Sequence, residues 1–228
     1  MKFNPWTVLG AEQLSPRSRS KLGVVAFFYF IQGSPAAILW EVLPVYLRFH
    51  GVSLRAIGGL RLLELPYSLK FFWSPLVHRF GARRFWVGCC MLGIAGIVAV
   101  LPFVGLGGVN WTIIMLVLLL TTFSATQDIA IDSYSVGLIS REEEGPANGV
   151  RASAYRIALV CVGGGTVLLA SFLDWTPLYL IAAGFFALLG VFAIRVPRLD
   201  LSPASRKHWF GGFVGWIATW RAIPFVLF

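Results

Sequence analysis

The sequence predicts an all-α membrane protein of six transmembrane helices, from its composition and from the length and pattern of its apolar runs. Of its 228 residues, 57% are hydrophobic and 13% are charged, whereas soluble domains carry about 25% charged residues. Each of six apolar runs is long enough to cross a hydrocarbon core of about 30 Å, which takes roughly 20 residues. Because these runs lack the alternation of barrel strands, we predict that they are helices.

The predicted spans follow one another with short polar connections. Spans one and two contain Pro35, Pro44 and Pro66, which predicts bending beside a cavity or a neighbouring helix. Glycines in spans three and five, including Gly163, are expected to allow close helix packing. The six spans are predicted at residues 22–47, 54–79, 85–106, 111–139, 150–173 and 177–195.

The distribution of basic residues predicts that both chain ends lie in the cytoplasm. Thirteen lysines and arginines fall on the side of the N-terminus, against only Arg48 and Arg55 on the other side, and such an excess marks the cytoplasmic side. After the last predicted span, residues 196–220 form a linker that contains several tryptophans. This pattern fits either a helix that lies at the membrane interface or a loosely structured segment. Four regions result: a cytoplasmic tail over residues 1–21, the bundle over 22–195, a cytoplasmic or interfacial linker over 196–220 and the start of a truncated seventh span over 221–228.

Charge and short motifs argue against several function classes. The net charge of +9 comes from clusters at the ends of the spans, so it forms no basic face for nucleic acid. Cys89, Cys90 and Cys161 lack the spacing of a disulfide framework or a metal site. No nucleophile elbow or phosphate loop is present. We therefore predict a protein in membrane lipid that is not an enzyme and needs no metal or cofactor.

Ionisable side chains inside the spans are the candidate functional residues, since each costs about 2.5 to 3.5 kcal/mol on insertion scales. Asp128 and Asp132 lie four residues apart on one helix face and are predicted to face Lys70 or Arg156. Such a network binds a polar or anionic solute or relays a proton, or it only locks the helices together. The same pathway is predicted to include Gln127, Glu41 and Arg61.

Two of these candidates have a simpler interpretation as well. Glu41 and Arg61 could each reach the outer headgroups by snorkelling. Glu64 could pair with Arg61 three residues before it. Neither interpretation requires a solute.

Three stretches of the sequence resemble one transporter family. They are LPYSLKFFWSPLVHRFGARRFW (residues 65–86), SATQDIAIDSYSVGLI (124–139) and AYRIALVCVGGG (154–165). Together they resemble the N-terminal half of the AmpG-type muropeptide permeases and the related acetyl-coenzyme A transporters of the major facilitator superfamily. The resemblance covers roughly residues 21–198 and implies the N-terminal half-bundle of a major facilitator fold.

The resemblance also implies a function and a location. It implies proton-coupled import of a muropeptide or a similar amphiphilic or anionic small-molecule solute across a bacterial inner membrane. Half of an acetyl-coenzyme A transporter is the alternative within the superfamily. A non-transporting membrane scaffold or regulatory fragment is the alternative from another class.

The loop between spans two and three carries a candidate gate. By resemblance, HRFGARR corresponds to a loop in which an acidic residue commonly precedes the basic ones and helps to lock the conformation. Here His78 stands in that place, followed by Arg79, Arg83 and Arg84, and a histidine can respond to pH near neutrality. The acidic run 142–144 in the next inner loop is expected to be solvated, with gating as its alternative.

The length of the chain is the main departure from this family. Its transporters have twelve spans in two pseudo-symmetric halves, with the solute site between the halves. This sequence supplies one half. We expect it to be a fragment of a longer protein, or a half that works with a second copy or with a separately encoded C-terminal half.

Overall fold

The computed structural model describes residues 15–79, 83–104 and 110–196. Within these ranges the chain forms six helical segments, labelled α1 to α6, and no strand. Most of the predicted tail, the linker after residue 196 and the predicted start of a seventh span lie outside the described residues. The segments are α1 (Pro16–Phe49), α2 (the broken segment 54–79), α3 (Arg83–Phe103), α4 (Trp111–Leu138), α5 (Arg141–Leu169) and α6 (Trp175–Arg195).

Five of the six segments are long and apolar enough to cross a membrane, namely α1, α3, α4, α5 and α6. They have 34, 21, 28, 29 and 21 residues, which at 1.5 Å per residue equals or exceeds a hydrocarbon core of about 30 Å. The prediction of an all-α membrane protein is confirmed. The first helix also begins earlier than its predicted span, at Pro16.

The second predicted span is not a continuous helix but a series of short helical pieces. Gly58 and Gly59 weaken its first α-helical piece, because glycine is a poor helix former. Pro66 and Pro75 lack a backbone N–H, which the first turn of a helix does not need, and a new helical piece begins beside each of them. The pieces are α-helix Leu54–Gly59, 3₁₀-helix Leu60–Glu64, α-helix Leu65–Leu69, 3₁₀-helix Lys70–Phe72 and α-helix Ser74–Arg79.

Side-chain caps fix where three of the helices begin. Ser15 accepts a hydrogen bond from the backbone N–H of Ser18 at 3.2 Å, and Asn110 accepts one from Ile113 at 2.9 Å. Ser53 does the same at the start of α2, where the Ala56 N–H donates at 3.3 Å. Each cap satisfies one of the donors that a helix N-terminus leaves unpaired.

The helices pack in pairs, with α1 against α5 and α4, and α3 between α4 and α6. Glycines permit the closest approaches. A methyl group at Gly33 would lie 2.8 Å from the carbonyl oxygen of Tyr155, and one at Gly88 would lie 2.8 Å from that of Gly190. These contacts are the small-residue packing that holds membrane helices together.

Two π-helical turns face each other where α1 meets α5. They are Ile38–Val42 in α1 and Leu159–Gly164 in α5, and they are in contact. A π-turn widens a helix locally and often marks a functional site. The irregular part of α2 lies on the other side of α1, across two cavities.

Candidate functional site

The centre of the candidate site is an ion pair between α2 and α4. Lys70 Nζ lies 3.5 Å from Asp128 Oδ2, and Asp128 is only 7% exposed. Lys70 stands at the start of the second 3₁₀ piece of α2, which turns its side chain toward α4. The predicted contact between Asp128 and Lys70 is therefore present in the structure.

Further polar contacts between α2 and α4 lie on both sides of this ion pair. The Tyr67 hydroxyl donates to Ser124 Oγ at 2.6 Å, and the Trp73 indole N–H donates to Thr126 Oγ1 at 3.2 Å. The sequence analysis did not identify these residues. The sequence spacing could have predicted them, however, because Tyr67 and Trp73 each stand three residues from Lys70. Because α2 consists of short α and 3₁₀ pieces, these side-chain contacts help to fix its position on α4.

Asp132 takes a different partner from the one predicted. The Tyr29 hydroxyl of α1 donates to Asp132 Oδ1 at 2.8 Å, and the guanidinium of Arg151 lies 5.6 Å from the Tyr29 ring centroid. Arg156 is exposed and forms no ion pair with either aspartate. The two aspartates thus connect α4 to different helices, Asp128 to α2 and Asp132 to α1.

A polar cavity of about 320 Å³ opens beside the ion pair, between α1, α2, α4 and α5. Asp128 and Glu64 supply carboxylates to its wall, and three aromatic side chains supply ring faces. Aromatic rings with a few placed polar groups are typical of small-molecule sites. The lining residues are Gln32, Ala36, Trp40, Glu64, Tyr67, Ser68, Asp128 and Tyr155.

A second cavity of about 160 Å³ adjoins the first and is mainly apolar. It lies between α1, α2 and α4, and its wall includes Leu43, Pro44 and Leu60. Trp40 and Glu64 line both cavities. The two cavities therefore meet at these two side chains.

Glu41 lies at the contact of the two π-turns, away from the cavities. Its carboxylate rests against Gly163 of α5, where an added methyl group would overlap it. The expected close packing at Gly163 is thus found, but its neighbour is a carboxylate and not an apolar side chain. At Gly164 an added methyl group would meet nothing within 4 Å.

Arg61 lies over an aromatic ring instead of pairing with Glu64. Its guanidinium carbon is 4.6 Å from the centroid of the Trp40 ring, a cation–π geometry. No nitrogen of Arg61 comes within 4.0 Å of a Glu64 oxygen, so the expected pair does not form.

Gln127 is fully buried in α4, and neither its amide nitrogen nor its amide oxygen has a partner among the described residues. A buried amide without hydrogen bonds costs on the order of 1–3 kcal/mol. The Gln32 amide oxygen in the polar cavity wall also lacks a partner there. The Gln32 oxygen is thus available to a solute or to water in the cavity.

The predicted gate residues hold α2 and α3 to other parts of the bundle. His78 Nδ1 donates to the carbonyl oxygen of Ser74 at 2.7 Å, and Nε2 lies 2.6 Å from Ser133 Oγ of α4. Arg84 donates to the carbonyl oxygen of Val196 at 2.6 Å. Arg83 has interactions of its own, and the side chain of Arg79 lies outside those described.

The acidic run 142–144 lies at the start of α5 and is only partly solvated, which corrects the expectation of a solvated loop. Glu142 and Glu144 are exposed, but Glu143 is buried and accepts a hydrogen bond from the Ser140 N–H at 3.0 Å. Lys21 at the start of α1 pairs with Glu143 at 3.0 Å. This contact joins the start of α5 to the first helix.

Several known proteins are similar to this chain, and those whose names state a function are named as transporters or permeases. The sequence model described as Major Facilitator Superfamily matches residues 22–226. The chain is 32% identical over 203 residues to an uncharacterized protein of Haemophilus influenzae, which covers 83% of this chain and 46% of that protein. It is 30% identical over 201 residues to the putative transporter AmpG 4 of Rickettsia felis, covering 82% and 47% of the two chains.

A further relative carries a more specific name. The chain is 28% identical over 174 residues to the anhydromuropeptide permease of Escherichia coli, covering 74% of this chain and 35% of that one. The chain spans half or less of the length of each of these curated relatives.

Proposed function

The chain belongs to the major facilitator superfamily, and from that membership we propose that it forms the N-terminal six-helix half of a secondary active transporter. It is a multi-pass membrane protein of a transporter family and not an enzyme. The observation that carries the proposal is the Lys70–Asp128 ion pair, whose aspartate lies on the wall of the polar cavity. Paired charges inside a span mark solute or ion pathways in transporters.

The proposed solute is a muropeptide or a similar amphiphilic, anionic molecule. The name of the Escherichia coli relative supports it, and so does the cavity, which combines aromatic faces with charged groups. Aromatic side chains suit the apolar face of a sugar, and Lys70, which pairs with Asp128 beside the cavity, supplies a cation for an anionic group. Half of an acetyl-coenzyme A type transporter is the alternative solute class.

Proton coupling is proposed to use the two aspartates of α4. Asp128 and Asp132 lie one turn apart and have different partners, Lys70 and Tyr29, so the protonation of one carboxylate does not require the partner of the other to move. Glu41, Gln127, Arg61 and Arg156 are proposed as further members of the pathway. His78, Arg79, Arg83 and Arg84 are proposed to gate it at the inner side.

The second half of the transporter is proposed to cover faces that are open in this chain. Exposed apolar side chains lie along α2, with Leu62 and Phe72, and along α5, with Val160 and Leu168. Superfamily members place the solute between two halves. A C-terminal half, in the same polypeptide or separate, or a second copy of this chain would complete the site. The proposed location is a bacterial inner membrane with both termini in the cytoplasm.

The test is solute uptake under a proton gradient in proteoliposomes that contain this half assembled with its second half. We expect muropeptide uptake, and we expect Asp128→Asn to reduce it to background at an unchanged membrane level of the protein. Glu142→Gln, at an exposed carboxylate, is the control and is expected to keep full uptake.

A double variant separates a pathway role from a structural lock. Removing both members of a buried ion pair is often neutral for stability, whereas removing one leaves an unpaired charge. If the pair only locks the helices, Lys70→Met with Asp128→Asn restores uptake. If the pair belongs to the pathway, the double variant folds and remains inactive. No uptake of any muropeptide or acyl-coenzyme A by the wild-type assembly would contradict the proposed function.

A further inference from the structure

Two opposite charges lie on one face of α2 beside the two cavities without forming an ion pair. Arg61 and Glu64 belong to the 3₁₀-helix Leu60–Glu64, in which side chains three residues apart lie directly above one another. Both line the apolar cavity, and Glu64 also lines the polar cavity. Their positions favour an ion pair, yet they do not form one.

The contact of Arg61 with Trp40 explains why Arg61 and Glu64 do not form an ion pair. The guanidinium of Arg61 is held over the Trp40 ring at 4.6 Å, and a guanidinium stacked in this way keeps its N–H groups free at the edges of its plane. Arg61 makes no hydrogen bond or ion pair with the described protein, and neither does Glu64. The two charges therefore interact electrostatically with each other, while the hydrogen-bonding groups of both side chains stay without a partner among the described residues.

This arrangement selects for the charge of a ligand. An anion near Arg61 would also be close to the Glu64 carboxylate, and a cation near Glu64 would be close to Arg61. A ligand group with both charges satisfies the two side chains at once. Three residues of a 3₁₀-helix rise about 6 Å, which suits an ammonium and a carboxylate that are separated by a few bonds.

We propose that Arg61 and Glu64 form a subsite for a zwitterionic group of the transported solute, with its carboxylate on Arg61 and its ammonium on Glu64. This inference rests on the proposed function, since it concerns the same solute cavity. Arg61 can bind a carboxylate through two parallel N–H groups. Trp40 is the positioning residue, because its ring fixes the plane of the guanidinium.

The experiment crosses variants of the chain with variants of the ligand. This chain, assembled with its second half in lipid nanodiscs, is titrated calorimetrically with a muropeptide whose peptide ends in a residue with a free amino group and a free carboxylate. Two modified forms carry an acetylated amino group or an amidated carboxylate. We expect the wild type to bind each modified form about tenfold more weakly, as for the loss of one charge-assisted contact.

The wild type should discriminate against both the amidated and the acetylated ligand. Each protein variant should lose the discrimination against one of these forms and keep it against the other. Arg61→Gln should bind the amidated and the unmodified forms equally well, and it should still reject the acetylated form. Glu64→Gln should show the reverse pattern. Arg55→Gln, which changes an exposed arginine of the same segment outside both cavities, is the control and should behave as the wild type.

Trp40 variants test the positioning role. Trp40→Phe keeps an aromatic face beneath the guanidinium and should retain the rejection of the amidated form, whereas Trp40→Leu should lose most of it. Binding in which neither Arg61→Gln nor Glu64→Gln changes the discrimination would overturn the subsite and leave the proposed function standing. Absence of binding of all three forms to the wild-type assembly would also overturn the subsite, while the uptake assay decides the proposed function independently.

Discussion

Gly163 shows how a single residue can define the surroundings of a charge. Its lack of a side chain leaves room for the Glu41 carboxylate at the contact between the π-turns of α1 and α5. Gly164, the next residue, has open space where a side chain would be. The two neighbouring glycines are therefore a matched pair that differs in one contact.

At the scale of the residue, we expect Gly163→Ala to destabilise the bundle and Gly164→Ala to leave it nearly unchanged. The methyl group at position 163 overlaps the Glu41 carboxylate, and overpacking of this kind costs about 1–3 kcal/mol. The measurement is the thermal unfolding midpoint of each variant in detergent, followed by circular dichroism. Adding Glu41→Ala to Gly163→Ala should recover much of the loss. Equal midpoints for the two glycine variants would contradict the contact.

A second prediction at this scale concerns Glu143. Glu143→Ala removes both the ion pair with Lys21 and the hydrogen bond from the Ser140 N–H, and the loss of such a cap costs about 1 kcal/mol. The same unfolding measurement should show a lower midpoint for Glu143→Ala and no change for Glu144→Ala, which replaces an exposed neighbour. A lowered midpoint for Glu144→Ala alone would contradict the assignment.

Charge rules predicted some partners in the site and missed others for a physical reason. Asp128 with Lys70 followed from the cost of an unpaired charge in a membrane. Asp132 found a neutral partner, Tyr29, and Arg61 found an aromatic ring. Which side chains meet depends on how each helix is rotated about its own axis. These rotations cannot be predicted from a single sequence.

At the scale of the element, α2 differs from its neighbours in what holds it in place. The other five segments are continuous helices, whereas α2 alternates between α and 3₁₀ turns and is attached to α4 by side chains. Its proline Pro66 predicted bending. It did not predict the breaks, because proline effects in a span depend on which neighbours re-satisfy the backbone.

We expect α2 to exchange its amide hydrogens faster when one of these attachments is removed. Trp73→Phe keeps an aromatic ring and deletes the hydrogen bond to Thr126, so local opening of residues 70–79 becomes easier. Hydrogen exchange measured by mass spectrometry in detergent should rise in this segment and not in α3. Trp111→Phe, at an exposed tryptophan of α4, is the control. Unchanged exchange in residues 70–79 would contradict the role of the contact.

At the scale of the whole molecule, the distribution of basic residues predicts the orientation in the membrane. An excess of lysine and arginine marks the cytoplasmic side, which places the connection between α4 and α5 inside and the connection between α1 and α2 outside. The structure contains the helices for this arrangement. The membrane sides stay a prediction.

Labelling with a membrane-impermeant thiol reagent checks this orientation. In a chain whose three cysteines are replaced by alanine, Arg55→Cys should react in intact cells. Glu142→Cys should react only after the membrane is permeabilised. Both positions are exposed in the bundle, so a difference in labelling reports the side of the membrane. The reverse pattern would mean that both termini lie outside.

The 3₁₀ pieces of α2 also give that segment extra length. They contain five and three residues, and each residue rises about 0.5 Å more than in an α-helix, so together they add about 4 Å. Conversion of these turns to α-helix would shorten α2 by that amount. It would also rotate one end of the segment against the other by about 160°, because a 3₁₀ turn contains 3.0 residues and an α turn 3.6. The length of α2 and the direction in which Arg61 and Lys70 point are therefore coupled within one segment.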